Sequence, residues 1–327
     1  MELFDGLKQN IAGKKISIVF PEPTDIRVLG AAVRLKSDDL VEPILVGNPE
    51  TIKELAGTRG LAVDNLEIID PKSYPKFDEM VQSFIERRKG KATEDQARAI
   101  LMDENYFGTM LVYMDLADGL VSGAIHSTGD TIRPALQIVK TKPGVSRTSG
   151  AFLMVGNRDS EKYIFSDCAI NINPDAQALA EIAVESAKTA EIFGIDPKVA
   201  LLSFSTKGSA KSEEVTKVVE ATRIAKELAP DLALDGELQF DASYVPSVAQ
   251  QKAPGSAVAG QANVFVFPEI QSGNIGYKIA QRLGNFQAIG PILQGLNKPI
   301  SDLSRGCNEE DVYKLSIITA SQTLQSK

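Results

Sequence analysis

Residues 299–312 hold the densest set of chemically useful groups in the chain. Ser304 supplies a hydroxyl, Arg305 a guanidinium and Gly306 a flexible turn, all ahead of a segment whose spacing at 313–324 is helical. A hydroxyl, a guanidinium and free backbone N–H groups at a helix start suit a phosphate or a carboxylate. Asp311 falls about one turn inside that helix, at the same end as such an anion. The same residues also carry a plainer meaning. Asn308 with Asp311 three positions on reads as a capping box, and acids belong in a first helical turn because of the helix dipole. Cys307 reads first as a packed thiol. The neighbouring arginine could lower its pKa, which keeps it open as a nucleophile.

Three further stretches could contact an anion. The glycines and small hydroxyls of residues 117–134, after the apolar run 109–114, suggest a loop over a ligand or an ordinary βα turn, with His126 inside and Arg133 expected to open a helix. A lone histidine in such a place is more often structural than catalytic. Residues 86–91 contain Arg87, Arg88, Lys89 and Lys91, the densest positive cluster in the chain, which also fits a solvated helix end. Residues 205–209, with Lys207, Gly208 and Ser209, join a strand to a helix but lack P-loop spacing, and residues 273–276 lack the dinucleotide fingerprint.

The elements that must position these groups alternate along the chain. β-rich runs at 15–20, 42–47 and 66–70 are separated by helical spacing at 25–33 and 50–55. This rhythm implies parallel strands joined by right-handed crossovers in a doubly wound layer. The second half repeats it with helices at 174–193 and 213–228 and strands at 199–204, 234–240 and 264–268. Turn-rich connections at 141–146 and 290–299 suggest that the chain leaves one domain and returns to it. The last thirty-odd residues then sit with the amino-terminal domain, at the carboxyl ends of its strands, where open α/β sheets bind ligands.

Composition narrows the function. At 327 residues the chain suits about two domains, and 43% hydrophobic with 24% charged residues is the profile of a globular protein. No apolar run approaches the ~18 residues of a membrane span, and the amino terminus lacks a signal pattern. Cys168 and Cys307 are too few for a disulfide framework or a four-ligand zinc site, which points to a reducing cytoplasm. A net charge of −8 argues against a nucleic-acid binder. With one histidine, chemistry near neutral pH is expected to run on carboxylates, arginines and hydroxyls.

In order along the chain, residues 118–123, 130–136, 165–169, 235–242 and 302–307 resemble the phosphate acetyltransferase (phosphotransacetylase) family, over nearly the entire length. The resemblance implies reversible transfer of acetyl from acetyl phosphate to coenzyme A, an activity of acetate metabolism. Both molecules are substrates, and no metal or redox cofactor is implied. It also implies an α/β fold of two α/β/α domains with an interdomain cleft, like that of isocitrate dehydrogenases. The domains would be 1–146 plus 297–327, and 147–296, the second carrying the interface of a homodimer. No nucleic-acid or membrane partner is implied. Ser304, Arg305 and Asp311 map onto the family's catalytic group, with Asp311 as base and Arg305 as phosphate anchor. Arg133 and Arg87 map onto further substrate arginines, Arg87 with the ambiguity that Arg88 is adjacent. The residues holding the nucleotide end of coenzyme A stay unassigned.

Chemistry favours that division of labour. Arginine grips phosphoryl oxygens bidentately, better than lysine. A thiol near pKa ~8.5 and an unperturbed aspartate near ~3.9 differ by roughly 6 kcal/mol of uphill proton transfer. Removal of the thiol proton is therefore expected within the attack, or with help from burial or nearby arginine charge. Direct attack in a ternary complex is expected; the rival is a ping-pong route through acetylated Cys307. Other readings are a phosphate butyryltransferase-like enzyme, a metal- and NAD-dependent decarboxylating dehydrogenase on a similar scaffold, and a non-catalytic acyl-CoA-sensing module.

Overall fold

The computed structural model describes residues 3–156 and 161–325. The chain divides into two compact units, one of Met1–Thr141 with Leu296–Lys327, the other of Lys142–Gly295. Turn-rich connections alone put these boundaries at 146/147 and 296/297.

The first unit opens with α1 (Leu3–Ile11), β1 (Ser17–Phe20), α2 (Ile26–Ser37), β2 (Glu42–Val46), α3 (Pro49–Arg59) and β3 (Glu67–Ile69). It continues with α4 (Phe77–Arg88), α5 (Glu94–Ile100), α6 (Glu104–Tyr113), β4 (Gly119–Ser122) and α7 (Thr128–Pro134). The second unit holds β5 (Ser149–Val155), β6 (Lys162–Ser166), α8 (Ala176–Ile192), β7 (Val199–Leu202), α9 (Glu213–Leu228) and β8 (Leu234–Leu238). Then come α10 (Phe240–Tyr244), α11 (Pro246–Lys252), β9 (Val264–Val266), α12 (Ile270–Arg282) and β10 (Gln287–Gln294). The chain returns to the first unit with β11 (Ile300–Asp302) and α13 (Glu309–Gln325).

In the first unit the strand order is β11-β4-β1-β2-β3, and every pairing is parallel. From β1 the chain runs outward through β2 and β3, then comes back to lay β4 and β11 on the other side of β1. The reversal of direction between β1 and β4 is the switch point at which parallel sheets open a crevice at the carboxyl ends of their strands. Alternation within β1 covers both faces of the sheet. A Cβ on Gly108 of α6 would lie 2.9 Å from Val19, whereas a Cβ on Gly119 would meet Ile18 and, on α13, Thr319. Helices α2 and α13 thus pack one face and α6 the other, and the strand residues between them are fully buried.

In the second unit the order is β10-β5-β6-β9-β7-β8. Strands β6, β9, β7 and β8 are parallel, while β10-β5 and β5-β6 are antiparallel. Repetition of strand and helix had no way to reveal that edge, because β5 ends at Val155 and β6 begins at Lys162, too short an interval for the helical crossover of a parallel pair. Rings of Phe152, Phe165, Phe265 and Phe267 fill the core of this sheet.

Two further expectations change. Residues 119–122 are not part of a loop but form β4, a central strand too short to show a period and buried at every position. Arg133 lies in the last turn of α7 rather than opening it. The helix starts earlier, with Ser127 at its N-cap; the Ser127 hydroxyl caps no backbone N–H and instead donates to Asp130 Oδ2 at 2.6 Å.

Candidate active site

Three connections emerge from the carboxyl ends of three adjacent strands: residues 21–27 after β1, 123–127 after β4 and 303–308 after β11. All belong to the first unit. Arg27 ties them together. Its Nε and Nη2 donate to the two oxygens of Asp25, the N-cap of α2, at 2.9 and 2.7 Å. Nη2 also donates to the carbonyl of Ala124 (2.9 Å), and Nη1 to those of Arg305 (2.9 Å) and Cys307 (2.8 Å). One guanidinium therefore fixes the backbone on both sides of Gly306. Its hydrogen bonds hold the Asp25 carboxyl below the usual carboxylate range.

Glu22 braces the neighbouring turn. It is 2% exposed, and its carboxylate accepts the backbone N–H groups of Gly123, Ala124, Ile125 and His126 at 2.8–3.0 Å. The His126 ring adds a fifth contact, Nδ1 to Oε1 at 2.7 Å. Successive N–H groups converging on one carboxylate form a nest that keeps a buried charge satisfied.

Asp302, at the end of β11, is buried on the far side of Gly123. A Cβ on that glycine would lie 2.5 Å from Asp302 Oδ1 and 2.6 Å from the Leu303 nitrogen, and its φ of +108° also requires glycine. Oδ1 is inaccessible and has no hydrogen-bond partner among the described residues. Burial pushes the Asp302 carboxyl up to about 6 and the Glu22 carboxylate adds to the rise, against the pull of the Thr128 and Thr131 hydroxyls.

Over this framework stand the groups expected to act. The Ser304 and Arg305 side chains are exposed, and among the described residues the Arg305 guanidinium has no ion pair or hydrogen bond. Ser304 Oγ only receives the Gly306 N–H, at 3.3 Å. Asp311 is exposed too, in the first turn of α13. Its Oδ2 accepts the Asn308 N–H, and Asn308 Oδ1 accepts the Asp311 N–H, both at 2.9 Å. The capping box is thus real, yet Oδ1 of Asp311 is left without a bond among the described residues. No ion pair joins Asp311 to Arg305. Helix α13 is held in place through α2, where Arg34 pairs with Glu310 and lies over the Tyr313 ring at 3.7 Å.

Arg133 is more than half exposed and lies 3.6 Å from Asp130 of its own helix. Arg87, on α4, donates from Nε to the carbonyl of Ile138 and from Nη2 to that of Val139 (3.0 Å), and its guanidinium lies over Tyr113. Two of its three nitrogens therefore close the π-helical turn 135–139 that follows Arg133. Arg88 has no side-chain partner among the described residues. Cys307 is 8% exposed, and burial raises its thiol pKa even with Arg27 beside it. In the second unit, Lys207 is committed to Asp235 Oδ1 (2.6 Å) and the Gly236 carbonyl (2.9 Å), so it is no free anion site.

The bracing residues Glu22, Arg27 and Asp302 escaped the sequence reading as functional positions. A lone acid between two prolines at a strand end, and an Asp-x-Arg pair opening the next helix, were the available signals. Neither says which loops the side chains reach.

A profile of the family described as Phosphate acetyl/butaryl transferase matches residues 2–320. The chain belongs to this family. As a member of the phosphate acetyl/butaryl transferase family it is an acyltransferase. It is 62% identical over 323 residues to the phosphate acetyltransferase of Bacillus subtilis (strain 168), covering 99% of each chain. A solved phosphotransacetylase from Streptococcus pyogenes is 64% identical, with a TM-score of 0.98 over 99% of this chain and 98% of that one. A putative 4-hydroxythreonine-4-phosphate dehydrogenase from Salmonella typhimurium shares the fold alone, at 13% identity and a TM-score of 0.52, covering 94% and 99%. Among the described residues, no helix is long and apolar enough to cross a membrane, and no three His, Cys, Asp or Glu side chains form a metal-binding group.

Proposed function

We propose that the chain transfers acetyl reversibly between acetyl phosphate and coenzyme A, by direct attack of the thiol within a ternary complex. Arg305 anchors the phosphoryl oxygens and Ser304 hydrogen-bonds the thiol or the developing oxyanion. Asp311 takes the thiol proton as the C–S bond forms, through the oxygen that the capping box leaves free. Arg133 assists with phosphate charge. From α4, Arg87 has only Nη1 to offer, and Arg88 all of its donors. The observation that carries this reading is the pair Ser304–Arg305: exposed, with the guanidinium unpaired, on a turn braced at the carbonyls of Arg305 and Cys307 on either side of Gly306, beside the switch point of the sheet. A free hydroxyl and guanidinium on a rigid turn are what an acyl phosphate requires.

The buried Cys307, with its thiol pKa raised, supports the ternary route over ping-pong transfer. The 62% identity to a protein named phosphate acetyltransferase supports acetyl as the acyl group over butyryl. Steady-state kinetics with acetyl, propionyl and butyryl phosphates test that choice; a preference for the longer chains refutes it. Asp311→Asn is expected to lower kcat far more than it raises KM for acetyl phosphate, and Arg305→Lys to weaken the phosphate side. Unchanged kinetics in either variant refute its role.

The work is placed in the cytoplasm, which two unpaired, buried cysteines suit. A homodimer through the second unit is supported by α12 and its C-cap, where Ile275, Ile279 and the capping Leu283 repeat at helical spacing and are all more than half exposed. Ile279→Glu is expected to yield monomers in sedimentation; an unchanged mass rejects this interface.

A further inference from the structure

His126 is the only histidine in the chain, and its ring is held as an active imidazole is held. Nδ1 meets Glu22 Oε1 at 2.7 Å; the Glu22 side chain is 1% exposed and that of His126 30%. The same Glu22 oxygen accepts the His126 backbone N–H, so ring and backbone are fixed by one carboxylate. A carboxylate on Nδ1 selects the tautomer that carries hydrogen there and leaves Nε2 as the working nitrogen. Among the described residues Nε2 has no hydrogen-bond partner. The ring stands on the connection after β4, the strand between β1 and the β11 that leads to Ser304 and Arg305. Arg27 joins that connection, through the Ala124 carbonyl, to the carbonyls of Arg305 and Cys307.

We infer that His126 is a further catalytic residue, which hydrogen-bonds the acyl phosphate through Nε2 and protonates the departing phosphate. This rests on the acyl-phosphate reading above. In the step, the C–S bond forms and the bond from the acyl carbon to the bridging phosphate oxygen breaks. Asp311 accepts the thiol proton while His126, entering the step as the imidazolium with its Nδ1–H on Glu22, gives its Nε2 proton to the bridging oxygen and is left as the neutral Nδ1–H tautomer. Dianionic acetyl phosphate and neutral thiol thus become thioester and HPO4 dianion. Asp311 then releases one proton and His126 regains one, so the protein ends as it began. The charged groups around the ring suit this task. Glu22 faces Nδ1 from the β1–α2 connection, with Asp302 of β11 behind it. Asp130 and Arg133 of α7 are the other charged groups near the ring; the Ser127 hydroxyl first, then the charges of Arg133 and His126, hold the Asp130 carboxyl below its usual range.

Two measurements on the full chain test this. Proton NMR follows the single imidazole through a pH titration with and without inorganic phosphate. Its midpoint is expected to rise when phosphate is saturating; a resonance indifferent to phosphate overturns the inference. In kinetics, His126→Asn keeps an N–H where Nδ1 lies, so the tie to Glu22 survives, but places nothing at Nε2. That variant is expected to lose about 100-fold in kcat with KM for coenzyme A unchanged, and to lose the pH limb that follows the imidazole titration. Wild-type kcat and pH profile in His126→Asn overturn the inference, since a merely structural histidine is replaced by that asparagine. If the variant fails to fold, the NMR titration of the wild-type chain decides. An unaltered protein that does not make acetyl-CoA refutes the parent reading instead.

Discussion

Arg27 donates a hydrogen bond from Nη1 to the main-chain carbonyl of Arg305, at 2.9 Å and 278 positions apart in sequence. The contact makes the geometry of the Ser304–Arg305 turn a property of the β1–α2 connection as much as of its own residues. Lysine has one nitrogen and three donors and cannot span Asp25, Ala124, Arg305 and Cys307 at once. Arg27→Lys is therefore expected to lower kcat at least about tenfold, through loss of positioning, and to reduce stability by roughly 1–3 kcal/mol. Urea unfolding and steady-state kinetics check both. A variant with wild-type kcat would falsify the bracing role.

Gly123 is expected to tolerate no side chain. Its φ of +108° and the 2.5 Å approach of a would-be Cβ to Asp302 Oδ1 act together. Gly123→Ala should destabilise by roughly 2–4 kcal/mol through backbone strain and overpacking. Thermal unfolding reads this directly, and a loss below about 0.5 kcal/mol, the range of an ordinary surface change, contradicts the crowding described.

Asp302 gives the fold a defined pH dependence. Its folded value of about 6 stands above an unfolded value near ~3.9. The folded state thus holds this proton more tightly. The stability linked to it is fully present below about pH 4 and is lost as pH rises through about 6. Asp302→Asn removes the titration, so it should gain up to roughly 3 kcal/mol over the parent near pH 8 and lose that advantage near pH 4. Chemical denaturation of both proteins across this window is the measurement; a parallel pair of stability curves rules the assignment out.

Cys307 separates the two catalytic routes. With the thiol buried and its pKa raised, Cys307→Ala is expected to keep near-normal turnover, because the ternary route needs no protein nucleophile. Complete loss of turnover in a folded variant would establish the thioester route.

The candidate residues stood out locally, although their roles came from the family resemblance. Ser304, Arg305 and Asp311 could be singled out because a hydroxyl, a guanidinium and a helix start fell within eight positions, and local spacing is what a sequence displays directly. Strand and helix periodicity pointed to the parallel layer, and turn-rich connections suggested the return of the last segment to the first unit that the fold has. What the tertiary structure alone decided were partnerships between segments far apart in the chain. Nothing local to Glu22 says that its carboxylate ends beneath residues 123–126. Nor does anything near His126 say that its ring is oriented, or near Arg87 that two of its nitrogens serve the carbonyls of Ile138 and Val139. Such contacts form only when the sheet brings the ends of β1, β4 and β11 side by side. Strand order is set by burial summed over the whole unit, not by the few residues that later meet at its edge.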